Sequence, residues 1–300
     1  MLQQGLDKIS IDQLFSGKGI SLSILRLDKL HPVISGNKLF KLHYFIENAL
    51  QSAHKRILSF GGAYSNHLVA TAYASNQAGL QSIGVVRGEK PACLSHTLQQ
   101  CMAYNMQLKF ISRQAYQLKE EPDFIATLVE EFGECILIPE GGYHPLGAEG
   151  AARIMDIVKD ENYSHICTAT GTCTTLAGLL IGAKQQQHLI AVNVLKGMVD
   201  TIKRIEFLTG MPPDNGKLTI INGYHFGGYA KKTPELIDYM NFLWKQYQLP
   251  TDFVYTAKLV YAIMNKIHTG YFAEGSNILL LHTGGLQGNQ SLPAGTLIFE

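Results

Sequence analysis

Ile57-Leu58-Ser59-Phe60-Gly61-Gly62-Ala63-Tyr64-Ser65-Asn66-His67 carries the fold argument of this chain. A short, mostly apolar run of strand length ends in paired glycines, which release the backbone into a tight turn. Ser65 stands where a helix N-cap belongs, ahead of a helix expected over Asn66 to Ala78. A strand that hands over directly to a helix is the building unit of a parallel sheet.

The same alternation continues downstream. Strands are expected at 82–86, 107–111, 135–138, 165–169, 190–195, 218–221 and 278–281. Helices are expected at 94–104, 124–132, 147–158, 175–183, 234–247 and 256–267. This order predicts an α/β protein whose parallel sheets are covered by helices. Met240, Phe242, Leu243, Trp244 and Tyr247 read as core of the helix at 234–247.

At 300 residues the chain has room for about two domains of ~150 residues each. It is 46% hydrophobic and 16% charged, enough to bury a sizeable core and far from a disordered composition. A net charge of +1 gives no electrostatic reason to expect nucleic acid or an anionic membrane as a partner. Met1 to Lys8 has no basic segment leading into an apolar one, so no secretory signal is expected. No apolar run approaches the ~20 residues of a membrane span. Five scattered cysteines without a Cys-x-x-Cys pair point to reduced thiols and a cytoplasmic setting. The histidines lack metal-ligand spacing, so no metal is expected.

In open α/β sheets ligands bind where strands end and helices begin. Four such joints have unusual composition: Gly61 to His67, Pro139 to Gly147, Ala169 to Gly178, and His282 to Gly285. Plain capping accounts for Ser65, but Asn66 and His67 are then polar groups left over at a helix start, where backbone donors take up carboxylates. Gly171, Thr172, Cys173, Thr174 and Thr175 place hydroxyl and amide donors around one point, a nest suited to phosphate. Neither a Walker loop nor a Gly-x-Gly-x-x-Gly fingerprint is present. Upstream, Ser35-Gly36-Asn37-Lys38-Leu39-Phe40-Lys41-Leu42 sets Lys38 at the start of an apolar helical run, Leu42, Phe45, Ile46, Ala49 and Leu50. An amine that must attack a carbonyl needs such a fixed, desolvated setting.

Gly-Asn-Lys, Gly-Gly-x-x-Ser-Asn-His, Pro-Glu-Gly-Gly and His-Thr-Gly-Gly, in that order over residues 20 to 290, resemble the pyridoxal-phosphate enzymes of the tryptophan-synthase-β-like fold (fold type II). The branch resembled holds D-cysteine desulfhydrase and 1-aminocyclopropane-1-carboxylate deaminase. The resemblance implies pyridoxal 5'-phosphate as cofactor, a small amino acid as substrate and a homodimer. It implies a large cofactor-binding domain of residues 1–42 and 151–300, and a small inserted α/β domain of residues 43–150.

By match, Lys38 would bind the cofactor aldehyde and move the substrate proton, with Lys41 as the family's second lysine. Asn66 would bond the ring hydroxyl, and residues 171–175 would hold the phosphate. Ser65, Asn66 and His67 would meet the substrate carboxylate, while Tyr229 and Tyr255 match active-site tyrosines. Thr256 and Thr283 stand where the deaminases carry Glu and Leu, and threonine at both is the desulfhydrase pattern. A carboxylate would keep the ring nitrogen protonated; a hydroxyl cannot.

The expected reaction is therefore α,β-elimination on a small D-amino acid, D-cysteine first, giving pyruvate, ammonia and hydrogen sulfide. A deaminase of aminocyclopropane carboxylate, or a catalytically silent small-molecule-binding protein on the same scaffold, are the alternatives. The chain departs from the family at Phe40, where arginine is common, at Cys173 and Thr174, where smaller residues are usual, and in a short stretch between Ala183 and Leu218.

Overall fold

The computed structural model describes residues 9–214 and 216–299, so the reading of Met1 to Lys8 lies outside the described residues. Strands β1 (Ile11–Gly17) and β2 (Ile20–Leu25) form an antiparallel hairpin. The next four strands, β3 (Arg56–Gly61), β4 (Gln81–Arg87), β5 (Met106–Ile111) and β6 (Ile136–Ile138), form a wholly parallel sheet in the order β5-β4-β3-β6. The last four are β7 (His165–Thr170), β8 (His188–Asn193), β9 (Leu218–Ile221) and β10 (Asn277–Leu281). They join the hairpin in a second sheet ordered β1-β2-β10-β7-β8-β9, parallel apart from β1. Both sheets carry helices, as the alternation predicts.

Helix α1 (Lys38–Gln51) buries Leu39, Leu42, Phe45, Ile46 and Ala49 along one stripe. Leu50 falls off that stripe and is exposed, unlike its reading as part of the apolar run. Phe40 is buried in the core and takes no part in the cleft described below. The helix runs continuously across the expected boundary between residues 42 and 43. One core cluster joins Leu42 of α1 and Ile57 of β3 to Leu279 of β10, so the two sheets share packed interior.

Helices α2 (Asn66–Gln77), α3 (His96–Ala103) and α4 (Pro122–Phe132) accompany the four-stranded sheet. The helix expected at 147–158 is instead α5 (Pro145–Ala152), followed by a 3-10 segment, Arg153–Val158. Pro145 occupies the first helical position, where its fixed φ suits helix initiation, and this moves the start upstream. Gly150 lies where α5 crosses α1, and a Cβ there would overlap the Phe40 carbonyl. Helices α6 (Thr174–Gly182), α7 (Thr201–Thr209), α8 (Pro234–Tyr247) and α9 (Thr256–His268) complete the chain.

The β1–β2 hairpin and helix α7 stand outside the expected alternation. The β1–β2 hairpin precedes the alternation, and β1 buries only Leu14, so it lacks the two-residue rhythm that marks a strand. Helix α7 buries only Thr201, Ile205 and Leu208. The aromatic face of α8 is also corrected: Met240 and Leu243 are buried, but Phe242 is 45% exposed and Trp244 and Tyr247 are half-buried. Residue 242 lies round the helix from the 240/243 stripe, so its ring faces outward. No helix among the described residues is long and apolar enough to cross a membrane.

Candidate active site

A cleft of about 630 Å³ opens at the carboxyl ends of the parallel strands, where an open α/β architecture places ligands. All four joints reach it. The turn after β3 brings Ser65, Asn66 and His67; the turn after β7 brings Gly171 through Thr175. Glu140 and Gly141 come from the turn after β6, and Thr283 from the turn after β10. Lys38, Tyr229 and Tyr255 line the same cleft. Thr256 does not: it is fully buried at the start of α9, with its Oγ1 lacking a partner among the described residues.

Lys38 is the first residue of α1, held by a turn whose left-handed Gly36 (φ +70°) lies directly against the Thr283 backbone. The Asn37 N–H donates to the Thr283 carbonyl at 3.3 Å. The Asn37 amide Nδ2 donates to Thr175 Oγ1 at 2.7 Å, tying the lysine turn to α6. Burial pushes the Lys38 amine down to about 8, against a smaller opposing pull from the Asp252 carboxylate. One turn along α1, Lys41 donates to the Gly141 carbonyl at 3.1 Å. Burial, and then the neighbouring Lys38 charge, push it down to about 7.

Ser65 caps α2, its Oγ accepting the Leu68 N–H at 3.2 Å, which leaves the hydroxyl proton free to donate. Asn66 donates through Nδ2 to the Gly285 carbonyl at 3.3 Å, while its Oδ1 is buried without a partner among the described residues. His67 is held by Ser59. The Ser59 hydroxyl donates to the Ile138 carbonyl at 2.8 Å, so at 3.1 Å it accepts from His67 Nε2–H. His67 Nδ1 then carries no proton and has no hydrogen-bond partner among the described residues. Burial, followed by the charges of Lys41 and Lys38, pushes the ring down to about 3, so His67 is neutral and has no spare N–H for a carboxylate. The available donors at this end of the cleft are Ser65 and the first-turn backbone of α2.

In the loop after β7, the Thr172 and Thr174 hydroxyls lie 3.0 Å apart, and Thr170 Oγ1 is buried without a hydrogen-bond partner among the described residues. Cys173, the residue before α6, holds φ +67°. Tyr255 packs over Gly171 and meets the Tyr229 ring edge-on at 6.4 Å between centroids. Burial keeps the Tyr255 phenol well above its usual range; Tyr229 is 53% exposed as a residue, and partial desolvation with the nearby Glu140 charge raises it. Both stay protonated donors at neutral pH.

Three features escaped the sequence reading. Asp252 is buried, and its carboxylate accepts from the backbone N–H groups of Val254, Tyr255 and Thr256 at 2.9, 2.7 and 3.0 Å. Arg204 on α7 lines the cleft, pairs with Asp200 at 2.8 Å and lies 5.1 Å from the Tyr143 ring centroid. The i,i+4 spacing of Asp200 and Arg204 was the available signal. Lys258 is fully buried on α9; nothing in its local sequence distinguishes it from a solvated lysine.

These donors fit a phosphorylated aldehyde. The loop hydroxyls and α6 N–H groups, with Lys41 and Arg204 nearby, suit a phosphate. Asn66 retains an amide N–H and an unpartnered Oδ1 for a ring hydroxyl, and Lys38 supplies a desolvated amine.

Comparison with known proteins agrees. A family model described as "Pyridoxal-phosphate dependent enzyme" matches residues 8–284. A putative 1-aminocyclopropane-1-carboxylate deaminase of Pyrococcus furiosus is 28% identical over 286 residues, covering 90% of this chain and 86% of the relative. A D-cysteine desulfhydrase of Klebsiella pneumoniae is 26% identical over 290 residues, covering 89% and 87%. A solved structure described as an ACC deaminase homologue superposes with a TM-score of 0.80 at 26% identity, over 94% of this chain and 90% of that one. This chain belongs to the pyridoxal-phosphate-dependent enzymes of fold type II, and its cofactor is pyridoxal phosphate.

Proposed function

We propose that this protein catalyses α,β-elimination on a small D-amino acid, with D-cysteine as substrate and pyruvate, ammonia and hydrogen sulfide as products. The observation that carries this reading is that Thr283, the one of the two threonines that lines the cleft, is uncharged, while the buried Asp252 carboxylate is held by backbone N–H groups. Asp252 accepts three backbone N–H groups at the start of α9. Neither threonine can hold a ring nitrogen protonated, so the site is suited to expelling a β leaving group rather than to storing the larger charge of ring opening.

When bound, pyridoxal phosphate supplies an aldehyde for the amine and a conjugated ring that accepts the electron pair left by a departing α-proton. Residues 171–175, Lys41 and Arg204 would hold its phosphate, and Asn66 its ring hydroxyl. Lys38, with its amine held down to about 8, is neutral often enough to act as nucleophile and then to take the Cα proton on Nζ. Ser65 and the first-turn N–H groups of α2 bind the substrate carboxylate and fix which Cα bond faces Lys38. Tyr229 and Tyr255, kept protonated, stand as donors to the departing sulfur. A homodimer and a cytoplasmic setting belong to the same proposal; the resemblance supports the first and five free cysteines the second.

The test has two arms. Purified protein loaded with cofactor should show a visible absorption band that borohydride bleaches irreversibly and that Lys38→Ala lacks; without that band in the wild type, the reading of Lys38 fails. D-Cysteine should then yield pyruvate, and aminocyclopropane carboxylate should not yield 2-oxobutyrate. The reverse product pattern would make the second reading, deamination, the correct one. The Pyrococcus furiosus relative supports that second reading.

A further inference from the structure

Lys258 is a charged side chain with no solvent exposure, on α9 beyond Tyr255. It makes no ion pair within 4.0 Å among the described residues. Its Nζ donates instead to two carbonyl oxygens, those of His225 and Gly228, both at 2.9 Å. Burial pushes the amine down to about 8, against a smaller opposing pull from the Asp252 carboxylate. An ammonium placed there is expensive unless its hydrogen bonds achieve something that an apolar residue could not.

What they hold is an awkward stretch of backbone. Gly223, Phe226, Gly227, Gly228 and Ala230 all have positive φ, at 96°, 49°, 96°, 125° and 51°. Phe226 and Ala230 carry side chains in that region, which persists only where the surroundings enforce it. Tyr229 lies between Gly228 and Ala230, at the cleft. Within the loop the Gly228 N–H donates to the His225 carbonyl at 3.0 Å, the Gly227 N–H to His225 Nδ1 at 3.0 Å and the Lys231 N–H to the Gly228 carbonyl at 3.2 Å. Toward α9 the Tyr224 hydroxyl donates to Asn265 Oδ1 at 2.7 Å and Phe226 packs edge-on against Tyr261. Lys258 thus joins both carbonyls of this turn to the helix whose start, through Asp252, fixes Tyr255.

We propose that Lys258 is a positioning residue whose ammonium clamps the His225–Gly228 turn, so that Tyr229 stands edge-on to Tyr255 over the cleft. This rests on the reading of the two tyrosines as active-site donors. A filler of core volume would not need a donor at this point, and the Asp252 carboxylate acts on the ammonium only from beyond ion-pair distance.

The test uses cofactor-loaded protein carrying Lys258→Met or Lys258→Gln, each alone and combined with Tyr229→Phe. Glutamine keeps two N–H donors without the charge. Pyruvate release from D-cysteine and amide hydrogen exchange over residues 223–230 are measured. Lys258→Met should lower kcat about tenfold or more with KM changed less than about threefold, yet add less than about twofold on top of Tyr229→Phe. Exchange over 223–230 should quicken in Lys258→Met while exchange in β7 and β10 does not, and Lys258→Gln should recover part of both effects.

A loss that persists in full in the Tyr229→Phe background overturns the proposal, as does unchanged exchange in the loop. If Lys258→Met does not fold, the glutamine variant decides by the same two readings. If Tyr229→Phe alone turns over like wild type, or D-cysteine is inert, the functional reading fails, and the exchange measurement still decides whether Lys258 clamps the loop.

Discussion

Cys173 holds a left-handed backbone just where α6 begins, although glycine takes that conformation without penalty. Its side chain is nevertheless buried, so removing it relieves strain while giving up packing. Cys173→Gly should therefore change the unfolding free energy by less than about 1 kcal/mol, whereas Cys173→Val, β-branched in the same backbone, should lose about 2 kcal/mol or more. Urea denaturation compares the two. Lys41 invites a pH test. Its pKa is about 7 folded against 10.5 for the free group, so between those values the unfolded chain binds the extra proton. Stability of the cofactor-free protein should gain from this group as pH rises through that window, and the gain is lost below it. Lys41→Met should flatten that rise and stabilise cofactor-free protein at pH 7 by about 1 kcal/mol or more, read from melting curves across pH. The lysines and hydroxyls of the cleft were legible because they sit in short motifs at strand ends. Asp252 and Lys258 were not, because their roles come from backbone groups that the fold brings to them.

Helix α1 presents Lys38 only because α5 approaches closely enough to hold it. Gly150 makes that approach possible, and Gly150→Ala should force the two helices apart at a cost of about 1–3 kcal/mol. Because α1 carries the lysine, the variant should also bind cofactor more weakly, measured as a higher concentration for half-maximal visible absorption. Strand-to-helix units were readable throughout because apolar runs of strand length alternate with amphipathic ones. The hairpin was not, since β1 rests on the edge of its sheet and buries a single leucine. Helix α7 hid for a related reason: three buried residues leave too little of a stripe to count.

The two sheets meet across the cleft as well as through the shared core. Asn66 at the start of α2 reaches Gly285 beyond β10, and Asn37 reaches Thr175. A ligand gripped by both sides favours the folded state by mass action, so pyridoxal phosphate at ~100 times its dissociation constant should add about 2.7 kcal/mol. Differential scanning fluorimetry with and without cofactor measures this, and Lys38→Ala should lose part of the rise. The sequence order alone gave the walls of this cleft but not their spacing, which depends on contacts between distant positions.

One such contact concerns how the protein is made. The Lys38 turn leans on Thr283, and Asn66 bonds a carbonyl 219 positions further along. During synthesis, which proceeds from the N-terminus, the reactive lysine leaves the ribosome long before β10 has been translated. Until then its amine stays hydrated and protonated, a poor nucleophile for the aldehydes of the cell. Reactivity therefore waits on synthesis of β10 and the turn that follows it, and a chain cut short ahead of β10 would be chemically quiet rather than indiscriminately active.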